Sequence, residues 1–486
     1  MINLFYINNH IIDTSEYSNL LHGNIVTVFE KSISEYVGSK YAVSFNSATS
    51  AIFLALQNKN ANITIPSIIP PVVLNAIKTS GNVYTFKDDI DWVGDSYVLH
   101  NFGNYKIVDS AQKLEKNQFK KEFFYNLDVG FSEKYYLFQV NDHPVSEKIF
   151  NDDYPFYTSK SNYMIDHFKI FANWIKKNYL NNSSKIIEIG ANDGTFLKNF
   201  DIKNITHCGF EPSKKIAKIA KNKGLDMISD FFNEKNSNDL NKFKKNTDVV
   251  CAANVICHIP DLNDLIKGID AVLSKKGVFI FEEPYLGSMF KKVSYDQIYD
   301  AHIYIFSLLS VREIFKKYDF DLIDAYPQIT HGGSMRYVIA RKNERPISKK
   351  INTIINNEIA LGMNSLKSCI NFKNNCEELR SKFIKRILFY KDQNKKICGY
   401  AASAKSTTVL NYCQISPNVI DFIADSTEEK IGKFSPGMHI PIKSIEYFRK
   451  NLPDIAVLFS WNHKKEIKNK ESKFLKSGGK WIWHLQ

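Results

Sequence analysis

Lys185-Ile186-Ile187-Glu188-Ile189-Gly190-Ala191-Asn192-Asp193-Gly194 is an apolar run that ends in an acid, a glycine-bearing turn and the start of a helix. A strand ending this way leaves backbone and an acidic oxygen facing the crevice where an α/β sheet binds a nucleoside. The form is Glu-x-Gly-x-Asn-Asp-Gly, not the Gly-x-Gly-x-x-Gly of dinucleotide binders. From here strand, turn and helix alternate. Strands are expected at 186–189, 207–210, 248–252 and 278–281, with lysine-rich helices between them. Ile216, Ile219, Ala220 and Leu225 carry the helical spacing in one of these. Such a βαβ series implies a mostly parallel sheet covered by helices. After Phe281 the order changes to a helix at 311–318 and strands at 322–326 and 335–340, the last behind Gly332-Gly333.

A chain of 486 residues exceeds one ordinary domain, and at roughly 150 residues per domain about three are expected. The boundaries read as 1–130, 131–345, a charged helical connector at 346–390, and 391–486. The 44% hydrophobic content is globular, and no run of about 18 apolar residues indicates a membrane span. Met1-Ile-Asn-Leu-Phe5 lacks the charged and apolar regions of a signal peptide. The 7 cysteines contain no Cys-x-x-Cys pair, which points to reduced thiols and a cytoplasmic protein. A net charge of +13 permits polyanion binding. Lys214, Lys215, Lys218, Lys221 and Lys223 are spread along a helix, however, which reads as a solvated face and not a nucleic-acid groove. A phosphate-bearing small substrate suits the same charge. Monomer and homodimer both remain open.

The opening motif resembles the first motif of class I S-adenosylmethionine (AdoMet) methyltransferases. That resemblance implies a Rossmann-like domain closed by the final hairpin and an AdoMet site built on Glu188, Gly190, Asn192, Asp193 and Gly194. Glu188 would orient the methionine side or the following loop. Glu211, at the next strand end, would accept the ribose hydroxyl protons. Asp230 would face the adenine amino group with Phe231 beside the ring, and Asn254 would lie near the sulfonium.

Further motifs run in one order from Tyr154 to the C-terminus. They are Asp153-Tyr154-Pro155, Gly209-Phe-Glu-Pro-Ser213, Cys257-His258-Ile259-Pro260, Glu283-Pro-Tyr-Leu-Gly287, Asp296-Gln297-Ile298-Tyr299-Asp300-Ala301-His302, His331-Gly-Gly333, Gly399-Tyr400 with Ala404-Lys405-Ser406, and Trp461-Asn462-His463. Together they resemble the nucleotide-sugar C-3-methyltransferases that make branched deoxysugars. The implied reaction is methyl transfer to C-3 of a nucleotide-linked 4-keto-deoxysugar through an enolate. Such a reaction needs a base at the C–H, donors at the oxygen, and close alignment of donor and acceptor carbons. By resemblance, Tyr154, His258, Tyr299 and His302 are the active-site residues. His302 is the expected base, Tyr299 and His258 hold and polarise the ketone, and Tyr154 closes over the ring. Tyr285 is an expected substrate contact, and His331 is either a substrate contact or a turn residue. The family's glutamate before the last histidine is Ala301 here, which points to an altered substrate preference. Sugar O- or N-methylation, or AdoMet and sugar-nucleotide binding without catalysis, are the alternatives.

From Lys396 a second strand-turn-helix series begins, which implies a Rossmann-like C-terminal domain. Its loop of small residues, with Ser403, Lys405 and Ser406 at a helix start, suits a diphosphate. No cysteine precedes Cys208, so the family's cysteine-ligated zinc module is missing and zinc is not expected. Residues 135–140 are read as a remnant of it. Residues 25–115 instead resemble the start of PLP-dependent sugar aminotransferases. The matching segments are Tyr36-Val37-Gly38-Ser39-Lys40-Tyr41-Ala42-Val43, Asn46-Ser47-Ala48-Thr49-Ser50-Ala51, 63–66 and Ile107-Val-Asp-Ser-Ala-Gln112. No Schiff-base lysine motif follows, so PLP is not expected and the segment reads as a truncated α/β remnant.

Overall fold

The computed structural model describes residues 24–37, 43–44, 48–57, 59–65, 71–86, 97–101, 106–109, 125–152, 154 and 156–486. Gly38–Ala42, Asn46-Ser47, Pro66, Ser110–Gln112, Asp153 and Pro155, all used in the motifs above, lie outside them. The chain forms two compact units, Met1–Glu122 and Phe123–Gln486. The first boundary therefore falls earlier than the expected residue 130. The three segments expected beyond it fold as one unit because one apolar core runs through them.

In the first unit, strands Asn62–Ile65 and Val83–Phe86 pair in parallel across helix Pro71–Thr79. Ile63, Ile65, Val73, Ala76 and Ile77 from these elements pack with Ile52 and Leu56 of helix Ala48–Leu56. The βαβ pattern thus survives here on a small core.

The second unit is built on a seven-stranded sheet. Its strands are β1 (Lys185–Ile189), β2 (Thr206–Phe210), β3 (Met227–Ile228), β4 (Thr247–Ala253), β5 (Leu273–Pro284), β6 (Phe320–Gln328) and β7 (Ser334–Arg341). The order is β6-β7-β5-β4-β1-β2-β3, with β7 antiparallel to both neighbours and the remaining pairs parallel. The continuous apolar runs have a simple cause: helices cover both sheet faces, so residues on either side of each strand are buried. The short β3 has no periodic signal and is absent from the sequence reading.

A hairpin of Val129–Ser132 and Leu137–Val140 pairs with Tyr304–Ile305. Residues 135–140 therefore serve to clamp the chain just after His302. Helices α1 (Leu308–Lys316), α2 (Lys349–Ala360) and α3 (Leu366–Asp392) follow. The connector is not a solvated spacer. Ile351, Ile355, Phe372, Phe383 and Ile387 join the main core. Glu358 is fully buried and accepts from Leu308 N at 2.8 Å, Leu309 N at 2.9 Å and the Tyr285 hydroxyl at 2.8 Å. It caps the start of α1 from another helix, where orphan N–H groups need an acceptor.

The C-terminal sheet is all parallel. Strands β8 (Ile397–Tyr400), β9 (Ile423–Asp425), β10 (Ile442–Ser444), β11 (Ile455–Leu458) and β12 (Lys480–Ile482) lie in the order β10-β9-β8-β11-β12. Helix α4 (Ala404–Cys413) packs against the Tyr295–Gln297 turn, and Thr408 Oγ1 donates to the Ile298 carbonyl at 2.8 Å. Among the described residues no helix is long and apolar enough to cross a membrane.

The Glu358 cap carries a prediction. Glu358→Ala leaves its donors unpaired in the core and should cost about 3 kcal/mol in urea unfolding followed by circular dichroism. Glu358→Gln, which keeps one acceptor, should recover part of that loss.

Candidate active site

The turn after β1 sets the geometry. Gly190 takes φ +69°, and a Cβ there would meet Val255 Cγ2 at 2.4 Å, so only glycine lets the backbone approach the crevice. Asn192 follows at φ +49°, a conformation asparagine tolerates. Its N–H donates to Glu211 Oε2 at 3.1 Å, and Ser213 N donates to Glu211 Oε1 at 3.0 Å. These two bonds aim the Glu211 carboxylate from the end of β2 into the cavity. Burial raises its pKa above the ordinary carboxylate value, although the two N–H bonds oppose that.

Gly190, Asn192, Glu211, Asp230, Phe231, Asn254, Tyr154, His258 and His331 line one cavity of ≈ 500 Å³. Its size falls in the range of roughly 300–1,000 Å³ typical of small-molecule sites. Asn254, at φ +56°, holds a buried Oδ1 without a hydrogen-bond partner on this wall. A free acceptor and a glycine cradle beside an acid fit a nucleoside ligand with donors to place. Phe150, Phe156, Met164 and Phe168 complete the apolar wall. They precede β1, and no motif spacing in the sequence marks them.

Other expected cofactor residues stand back from the cavity. Glu188 is buried, and burial followed by the nearby Asp193 and Glu211 charges raises its pKa well above the ordinary value. The Leu197 backbone lies beside it, its Oε2 is buried without a hydrogen-bond partner, and it is not among the residues that line the cavity. Asp193 accepts from Ser159 N at 3.1 Å and Thr195 Oγ1 at 2.6 Å. Gly194, at φ +76°, lies where a Cβ would meet Leu225 Cδ1 at 2.4 Å, so it serves close packing. The Asn192 side chain accepts from Thr158 N at 3.0 Å and donates to Phe156 O at 3.2 Å. Asn192 and Asp193 therefore fasten the segment that follows Tyr154.

At the other end lies a cluster of imidazole and phenol groups. His258 Nδ1 donates to the Ala301 carbonyl, and His302 Nδ1 donates to the Gln297 carbonyl at 3.0 Å. In the neutral rings Nε2 is then the unprotonated nitrogen; that of His302 accepts the Tyr299 hydroxyl, and the Asn254 backbone is a second polar neighbour of the His258 ring. The two imidazole centroids are 5.1 Å apart. Burial lowers the pKa of both rings, most for His302, where His258, His331 and Lys405 add repulsion. Both are neutral bases near pH 7. Burial, then Cys257 and Tyr154, pushes the Tyr299 phenol well up, so it stays a donor.

His302 and Tyr299 are not among the cavity's lining residues; His302 packs against His258, which is, and Tyr299 packs on His302. The His258 tautomer also changes its expected role. Its N–H is committed to Ala301, so its remaining nitrogen accepts and cannot polarise a ketone. Tyr154 sits 5.3 Å from Phe150 by ring centroid, its phenol pKa raised by burial and then by Glu211. His331, at φ +51°, is both a turn residue and a lining residue. Its Nε2 is buried and unpartnered, and burial, then Lys405, pushes its pKa down to about 3.

Four further expected substrate residues have partners within the protein. The Tyr285 hydroxyl is taken by Glu358. In the C-terminal loop, Ser403 and Ser406 cap each other's backbone N–H at 2.9 and 3.3 Å, and Ala402 N donates to Asp425 Oδ2 at 2.7 Å. The Lys405 ammonium lies 3.8 Å from Asp296 Oδ2. Asp296 is fully buried and draws that charge inward. The Ser403 and Ser406 donors are taken within the loop, while the buried Lys405 Nζ has the Asp296 ion pair and no hydrogen-bond partner. Sequence spacing cannot reveal this, because the competing acceptors come from distant segments.

Comparisons with known proteins agree in placement. A methyltransferase domain family matches residues 163–325, and the C-methyltransferase C-terminal domain family matches residues 329–485. The DegT/DnrJ/EryC1/StrS aminotransferase family matches residues 6–88. The C-methyltransferase NovU of Streptomyces niveus is 26% identical over 363 residues, spanning 74% of this chain and 86% of that protein. Two similar solved structures are an S-adenosylmethionine-dependent methyltransferase from Clostridium acetobutylicum and magnesium protoporphyrin IX methyltransferase from Synechocystis with bound SAH. The first is 14% identical over 38% of this chain and 94% of its own, with a TM-score of 0.29. The second is 14% identical over 37% and 83%, also with a TM-score of 0.29.

Replacing Glu211 by alanine should weaken AdoMet binding about 10- to 100-fold by calorimetry, the value of hydrogen bonds to a charged acceptor. An unchanged affinity would remove Glu211 from the cofactor site.

Proposed function

We propose that this AdoMet-dependent C-methyltransferase methylates C-3 of a nucleotide-linked 4-keto-deoxysugar through an enolate. AdoMet supplies the electrophilic methyl group. The observation that carries the reading is the neutral His258–His302–Tyr299 cluster packed at the wall of the cavity that Glu211, Asn192 and Asn254 line. A C–H beside a ketone is acidic only through its enolate, and a neutral imidazole is the side chain best suited to take that proton near pH 7.

In this reading the Tyr299 hydroxyl and His302 act as a pair. The phenol oxygen takes the C-3 proton as its own proton passes to His302 Nε2, which the hydrogen bond already places in line. The gained charge ends as imidazolium, with Nδ1–H held by the Gln297 carbonyl. Tyr154, on the cavity wall, donates to the enolate oxygen without adding full charge. His258 Nε2 accepts a sugar hydroxyl. Phe150, Phe156 and Phe168 exclude water, which would otherwise reprotonate the carbanion. A second reading makes His258 the base directly, and its place on the wall favours that.

The test uses deuterium. Purified protein is screened with AdoMet against a panel of nucleotide ketosugars, and C-3 exchange with D2O is followed by NMR with S-adenosylhomocysteine in place of AdoMet. Under the first reading, His302→Ala should slow exchange and methyl transfer by about 100- to 10,000-fold. His258→Ala should mainly raise KM. The reverse pattern selects His258 as base. Wild-type methylation without C-3 exchange, or methyl found on another carbon, would sink the enolate assignment.

A further inference from the structure

We propose that Cys257, His258 and His302 form a binding site for one divalent transition-metal ion, zinc above others, whose occupation shuts off methyl transfer. Each side chain offers one donor atom, and these atoms lie within 4.8 Å of one another. In a tetrahedral zinc site with bonds of about 2.0–2.3 Å, donors stand roughly 3.5 Å apart, so a contraction of about 1 Å closes the site.

The orientation already matches that of ligands. Metal-bound imidazoles give their other N–H to a carbonyl or carboxylate, which fixes the tautomer. Both rings here do so, His258 to Ala301 and His302 to Gln297. A second observation is electrostatic. Glu283 is fully buried: its Oε1 accepts from Val255 N at 2.8 Å and Ile256 N at 2.6 Å, its Oε2 meets no N–H or O–H donor, and the Cys257 thiol is its side-chain hydrogen-bond neighbour. Burying a carboxylate that leaves one oxygen so poorly served is costly, and a nearby cation offsets that cost. One 2+ ion, the Cys257 thiolate and the Glu283 carboxylate sum to zero charge, so the ion can be buried without an unpaired charge. Binding forms a metal–sulfur bond and releases the thiol proton to solvent, with no oxidant or reductant. A thiolate with two imidazoles selects zinc or cobalt over magnesium, and three protein donors leave the fourth position to water.

The shut-off rests on the reading of the imidazoles as proton acceptors. A bound ion consumes both lone pairs and takes from the Tyr299 hydroxyl its acceptor. This site is unrelated to the cysteine module whose absence led to the expectation of no zinc.

The test starts with Co2+ titrated into the full chain, reduced and free of AdoMet and sugar. One equivalent should give a thiolate-to-cobalt charge-transfer band in the near ultraviolet and the visible bands of a four-coordinate ion, both displaced by Zn2+. Cys257→Ser and Cys257→Ala, checked for folding by circular dichroism, should lose the charge-transfer band and bind at least about tenfold more weakly. X-ray absorption of the zinc-loaded wild type should count one sulfur and two imidazole donors, which needs no variant. A wild type without the band, variants that retain it, or a different donor count overturns the site. In turnover, Zn2+ should stop the wild type, a chelator should restore it, and Cys257→Ser should stay active. Zinc-loaded enzyme working at the metal-free rate overturns the shut-off. The spectral arm needs no substrate, so failure of the ketosugar reading leaves it standing.

Discussion

Two backbone carbonyls hold the chemistry in place. Gln297 and Ala301 each accept an imidazole N–H, from His302 and His258 respectively. That commits both rings to one tautomer and turns both free nitrogens into acceptors. With either carbonyl displaced, a ring could flip and present a donor in place of an acceptor. Ala301 therefore acts through its backbone, since its carbonyl oxygen fixes His258 whatever the side chain.

The segment bearing these carbonyls is fixed from several sides. Asp296, fully buried, accepts from Trp461 Nε1 at 2.8 Å and faces Lys405 at 3.8 Å and His484 at 3.2 Å. Burial alone would raise its carboxyl pKa, and His484 and Lys405 hold it below the ordinary value instead. Those partners all come from the C-terminal domain. Thr408 holds Ile298, and the Leu137–Val140 strand pairs with Tyr304–Ile305 on the other side. The C-terminal domain thus shapes the turn that carries Tyr299 and His302. Breaking one partner of so buried a pair is costly, which is why the connector and both sheets share a core.

The turn after β1 has a double use. Its backbone faces the cavity, while the Asn192 and Asp193 side chains tie down Thr158 and Ser159. The aromatic segment at Tyr154 and Phe156 is thereby tethered to the loop at the cofactor end of the cavity. One short stretch couples two walls of the same cavity.

The sequence by itself determined the sheet. Continuous apolar runs at β1, β2, β4 and β5, each buried on both faces, admit little but parallel strands under helices, and Glu211 and Gly190 follow from strand ends and turn chemistry. The histidines and tyrosines were marked by the resemblance of their motifs to a known family, not by local pattern. What it could not give was direction. That Lys405 lies beside Asp296, that the Tyr285 hydroxyl reaches Glu358, and that His258 Nδ1 faces the Ala301 carbonyl depend on acceptors far away in the chain. Only the packed tertiary structure decided those. The physical reason is that a buried donor or charge turns to whichever partner burial leaves it, and that partner is set by the fold, not by its neighbours in sequence.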